Sequence, residues 1–92
     1  MTAPEPAVCD DQVTAGPGGV MTDDVGVITG DLTVRTTRLA SNQVGVQVEY
    51  TGADEWYMLT GSPVAVRDGG LEEYHERVLA AVEHGEEAVA PT

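Results

Sequence analysis

Apolar and polar positions alternate most strictly over Gln43–Tyr50. Val44, Val46, Val48 and Tyr50 take every second place, with Gln43, Gly45, Gln47 and Glu49 between them. A period of two puts the four apolar side chains on one face of a half-buried strand. Upstream, Leu32, Val34 and Thr36 alternate with Thr33, Arg35 and Thr37, which predicts a second strand. Residues 25–29 predict a short first one, set off by Gly30-Asp31. Ala40-Ser41-Asn42 has hairpin length, and residues 51–54 predict the next turn, leading into a strand over 56–60. Gly61-Ser62 fits a two-residue type II′ turn, which asks for Gly first, and returns the chain into residues 64–67. Pro63 has no N–H to give to a ladder, so this last strand starts at or runs along a sheet edge. Every connection is short, which makes neighbouring strands antiparallel.

The period then changes. Leu71, Tyr74, Val78, Leu79 and Val82 form a single stripe at helical spacing, with Glu72, Glu73, Glu76, Arg77 and Glu83 on the other side. Glu72 and Glu73 suit the positive end of the helix dipole, and His84 followed by Gly85 suits its exit. A helix of this length does not repay its own ordering entropy, so it needs a sheet to lie on. The face of Val44, Val46, Val48 and Tyr50 is the obvious one.

The flanks carry no period. Over residues 1–24, Pro4, Pro6 and Pro17 with Gly16, Gly18 and Gly19 interrupt any regular pattern, which predicts a flexible leader. Met21 then reads as an alternative start, with the leader dispensable. Residues 25–85 read as the folded domain and 86–92 as a frayed tail.

Charge sharpens this division. The 92 residues hold 16 acids and four bases, all Arg, for a formal charge of −12. The leader has Glu5, Asp10, Asp11, Asp23 and Asp24 and no base, while residues 68–92 set seven acids against Arg77. The middle is nearly neutral. Such a charge repels phosphate backbones and anionic lipid, which argues against nucleic-acid and membrane partners. The absence of Lys and Phe, beside abundant Ala, Val, Gly, Asp and Glu, is the idiom of a GC-rich bacterial genome. A lone Cys9 gives no disulfide framework. No apolar run has the length of a membrane helix, and the N-terminus lacks the basic start and apolar stretch of a signal peptide. Cytoplasmic residence is the default expectation.

Chemical signatures are few. Glu72 and His75 have the i, i+3 spacing of a di-metal carboxylate half-site, but that site needs a second copy and facing helices. The plainer reading is an exposed acid and imidazole on a solvated surface. Gly16-Pro17-Gly18-Gly19 lacks the Lys-Ser/Thr pair of a phosphate loop. Neither Ser41, Ser62 nor Cys9 stands beside a base in a nucleophile pattern. No cofactor and no enzymatic activity are expected.

The chain therefore reads as an α+β domain: a four- or five-stranded antiparallel meander with one C-terminal helix across one face. Trp56, Met58 and Thr60 alternate with Tyr57 and Leu59, so both faces of that strand are apolar. If the helix covers one side, Ile28, Tyr57 and Leu59 are left on the other, with Arg35 and Arg67 at the rim. An apolar patch with polar borders marks a contact surface. The expected function is a small non-enzymatic interaction module, an adaptor or a homodimer built through that face. The alternative is an acidic mimic of nucleic acid, or an inhibitor, meeting a basic partner through Glu72, Glu73, Glu76 and Glu83. A metal-dependent enzyme using Glu72 and His75 is the remote third.

Overall fold

The alternating segments form a hairpin at the centre of the sheet. The computed structural model describes residues 8–40, 42–66 and 70–92. In chain order the strands are β1 (Val8–Thr14), β2 (Val20–Thr22), β3 (Gly26–Ile28), β4 (Asp31–Ala40), β5 (Gln43–Tyr50), β6 (Tyr57–Met58) and β7 (Val64–Ala65). They are followed by the helix α1 (Leu71–His84). β4 and β5 pair antiparallel with Val34 opposite Val48 and Thr36 opposite Val46, so the two alternating patterns share a face. A register shift between Arg38 and Ala40 places Leu39 at a bulge. The architecture is α+β: a five-stranded antiparallel sheet, a two-stranded β2–β3 sheet and one helix. None of the helices among the described residues is long and apolar enough to cross a membrane.

The strand order departs from a simple meander in two places. β1 runs along β4 over its whole length, from Val8 opposite Thr37 to Thr14 opposite Asp31. β3, expected beside β4, pairs instead with β2. At the other edge, β6 and β7 do not pair with each other; both lie antiparallel along β5. The expected type II′ reversal is absent because the Ser62 N–H bonds back to the Leu59 carbonyl across Gly61, which has φ 96°. Positive φ falls on the third residue of that turn rather than the second, and the chain continues along β5. The Ser62 hydroxyl accepts the Val46 N–H at 2.8 Å, and the Leu59 N–H donates to the Val46 carbonyl at 3.0 Å. A side chain and a single bridge thus span the gap between two short strands.

The helix lies over β1 and β4, on the face that carries Leu32, Val34 and Thr36. Leu71, Tyr74, Val78 and Val82 of the stripe are buried there, with Leu79 half-buried. Val20 and Ile28 from the small sheet, Leu59, Ala88 and Ala90 complete the same core.

Within the described residues the expected leader forms β1 and β2, and the expected tail is hydrogen-bonded to it. The Glu86, Glu87 and Ala88 N–H groups donate in turn to the Pro17, Gly18 and Gly19 carbonyls at 2.7, 3.1 and 3.0 Å. The Met21 N–H returns a bond to the Ala88 carbonyl, and Ala90 donates to Thr60. Neither segment has an apolar period, because each is held by backbone bonds to the other rather than by a repeating buried face. The glycines read as linker are needed for this contact. Any Cβ at Gly16 would run into the Glu83 carbonyl oxygen, and one at Gly85 (φ 79°) into that of Pro17. A chain begun at Met21 would lack β1, which runs along β4, and the buried Val20.

Candidate functional site

Register decides which side chains reach the face away from the helix. Gln47 lies opposite Met58, Arg35 opposite Gln47, and Asp10 opposite Arg35. The open face therefore carries Asp10, Arg35, Gln47 and Met58 across four strands. Val48 lies opposite Tyr57, which turns Tyr57 and Leu59 toward the helix side. The two apolar faces of this segment exist as expected, but their assignment is the reverse of the one expected.

This corrects the expected patch. Ile28 is buried in the core by its pairing with Val20 in the small sheet, and Leu59 is buried under the bridge to Thr22. Tyr57 is half-buried, and its hydroxyl donates to Glu55 at 3.1 Å. Desolvation, then that bond, raises its phenol pKa. Arg35 does stand on the open face. Its Nε and Nη2 donate to the two Asp10 carboxylate oxygens, each at 2.9 Å, and its guanidinium sits 4.2 Å above the Trp56 ring. The bond from Arg35 holds the Asp10 carboxyl below its ordinary value, against a smaller desolvation effect. Arg67 lies outside the described residues.

Beside this stack lies an apolar groove of about 220 Å³, lined by Thr37, Leu39, Gly45, Gln47, Met58 and Pro63. Leu39 is 57% exposed and Met58 36%, the two large apolar side chains that the face presents here. The bulge swings Leu39 over Gly45, where a Cβ would meet the Leu39 Cδ1 at 3.1 Å. Sequence reasoning passed over Leu39 and put Trp56 and Met58 on the side covered by the helix. For Met58 and Trp56 the missing information was the register of a two-residue strand, and for Leu39 it was the bulge.

A second cleft opens between β1 and the first turns of α1, lined by Cys9, Asp10, Asp11, Glu72, His75 and Glu76. His75 is not the exposed imidazole expected: it is buried, and both its nitrogens are engaged. Nε2 lies 3.0 Å from the Asp11 carboxylate and Nδ1 2.7 Å from the Thr36 hydroxyl. A carboxylate only accepts, so Nε2 carries a hydrogen, and in the neutral ring Thr36 donates to Nδ1. The ring lone pair is thus directed into the core, away from Glu72, which leaves the metal half-site reading without an imidazole donor. Among the described residues no group of three or more His, Cys, Asp or Glu side chains is arranged to hold a metal.

Hydroxyl, imidazole and carboxylate stand here in the order of a hydrolytic triad, but Thr36 is 0% exposed. A nucleophile must reach a substrate carbonyl, and this one reaches only the core. The half-buried Cys9 lines the cleft, with its thiol pushed up by burial and then by Glu72, Asp11 and Asp10. A thiol held protonated is a poor nucleophile. The acids Glu72, Glu73, Glu76 and Glu83 are all exposed along α1. No family model, curated protein or solved structure matches the chain.

Proposed function

We propose that this chain is a small non-enzymatic protein-interaction module that docks through the open face of its sheet. The observation that carries the reading is the pair Leu39 and Met58, both exposed, flanking a groove floored by Gly45 on the face opposite the one α1 packs on. Apolar side chains gathered at a concave place, beside a stacked Arg–Trp pair, have the make-up of an interface anchor. The engaged imidazole and inaccessible hydroxyl at the other cleft support a role without catalysis.

The test is a Leu39→Asp, Met58→Asp double variant, with fold integrity followed by circular dichroism and unfolding midpoint. Cross-linking in lysate of the source organism is then compared between wild type and variant. A cross-linked species that wild type forms, with itself or another protein, disappears in the folded variant. Unchanged cross-linking removes the open face from consideration.

The exposed Glu72, Glu73, Glu76 and Glu83 support a second reading, an acidic mimic or inhibitor of a basic partner. Binding of that kind weakens steeply from low to moderate salt, because exposed charges are screened. Salt-insensitive binding speaks against it.

A further inference from the structure

We propose that the open-face groove receives a single apolar side chain from a partner segment that carries Lys or Arg on either side of it. This rests on the docking reading above and names its occupant.

Size and lining define the knob. At about 220 Å³ the groove is smaller than the roughly 300–1,000 Å³ typical of small-molecule sites, and it matches one large side chain. Leu39, Met58 and Pro63 supply apolar walls over Gly45. The exposed lining of the groove is mostly apolar, with Thr37, Gln47 and Ser62 as its polar residues, so an apolar tip is the better match. A Leu, Ile or Met tip fits this chemistry.

Charge defines what flanks the knob. The Asp24 carboxylate accepts the N–H of Met58 itself at 2.7 Å, and Asp23 accepts the Thr60 hydroxyl at 2.9 Å, so two exposed acids stand at the β6 wall. By register Asp10 and Asp31, both exposed, also belong to this face, whereas Glu49 is buried and accepts the Asp54 N–H. Among the described residues, the face's one base by the same register, Arg35, is held by Asp10 and stacked on Trp56. A second copy of the chain would bring acids against these acids, each copy carrying −12 overall. Juxtaposed like charges oppose association, while a cationic segment is steered toward the face and held at its rim.

The experiment titrates the isotope-labelled full chain with short synthetic peptides and follows backbone amides by NMR. One peptide has a central Leu flanked by lysines, the second replaces that Leu by Ala, and the third replaces the lysines by Glu. The lysine-flanked Leu peptide shifts Leu39, Gly45 and Met58 most, and binds at least about tenfold tighter than either control at low salt. If the Ala peptide binds equally well and shifts Glu72 and Glu76 instead, charge alone acts at the helix, and both the groove and its occupant fall. Equal binding of the Glu-flanked peptide in the groove keeps the docking face but overturns the cationic partner. Groove shifts that appear on concentrating the protein alone assign the face to a second copy, again overturning the occupant only. Absence of groove shifts with every peptide and at every protein concentration overturns both.

Discussion

The imidazole of His75 lies 3.0 Å from the carboxylate of Asp11, 64 residues earlier in the chain, while its other nitrogen meets Thr36 on β4. One ring therefore joins the edge strand, the central strand and the helix. His75 is 4% exposed and Asp11 60%, so the bond runs from the core out to the surface. Its inner half is the energetically consequential one, because a buried polar atom left without a partner has no water to replace it.

That asymmetry predicts a specific pattern of stabilities. Thr36→Val keeps the volume but strands the His75 Nδ1, at a cost of about 1–3 kcal/mol. His75→Leu strands the Thr36 hydroxyl at a comparable cost. The double variant leaves neither group unpaired and costs clearly less than the two single changes together. Urea unfolding of the four proteins measures this, and simple additivity would contradict the coupling.

The glycine junction makes a second prediction. Gly16 donates its N–H to the Val82 carbonyl at 2.9 Å, so the backbone there cannot retreat from the helix end without losing a bond. Gly16→Ala is expected to cost about 2–4 kcal/mol, in the range of changes that strain a buried backbone. Gly52→Ala is the control for conformational strain alone, since at φ 86° a Cβ there meets nothing within 4 Å. A chain begun at Met21 should lack cooperative unfolding altogether. Cooperative unfolding of that shortened chain would restore the leader to a dispensable role.

Much of this fold is legible in the sequence where burial repeats. The alternation of Val44, Val46 and Val48 and the stripe of Leu71, Tyr74, Val78 and Val82 each have a buried face, so each leaves a period. β1 has none: Cys9 and Val13 are only half-buried, and Asp10, Asp11 and Gln12 are exposed along an edge. Charged side chains on an edge strand discourage unwanted pairing, and they also hide the strand from a hydrophobic pattern. Arg35 was legible as a rim residue because it alternates within β4. Its partners were not, since Asp10 comes from the strand without a period and Trp56 from a segment whose register two residues fix.

The exposed face predicts indifference to polar substitution. Leu39→Ser removes a side chain that the folded chain leaves mostly in water and Met58→Ser one that it leaves partly so, and each shifts stability by no more than about 1 kcal/mol. Leu59→Ser, next to Met58 in the chain but fully buried, costs several kcal/mol. Thermal unfolding of the three variants distinguishes the two faces of one short segment. Comparable losses for Met58→Ser and Leu59→Ser would reverse the facing assigned to this segment.

Tyr74 links the helix to the end of the chain and gives the protein a defined alkaline behaviour. Its hydroxyl donates to the Pro91 carbonyl at 2.7 Å, and burial raises its phenol above the ordinary value, with Arg77 acting weakly in the opposite sense. The fold thus favours the protonated phenol. Its contribution is fully present below the unfolded tyrosine value of about 10 and is lost as pH rises through the higher folded value. Deprotonation also removes the donor, so Pro91 loses its bond in the same range. Stability measured by urea should fall as pH rises past about 10. Tyr74→Phe should cost about 1 kcal/mol at neutral pH, through the lost hydrogen bond, and should then show a shallower alkaline decline. Some decline remains in that variant, because the Tyr57 phenol is raised as well, and adding Tyr57→Phe removes its share. Identical alkaline slopes for wild type and Tyr74→Phe would show that this phenol is not what ties the tail to the helix.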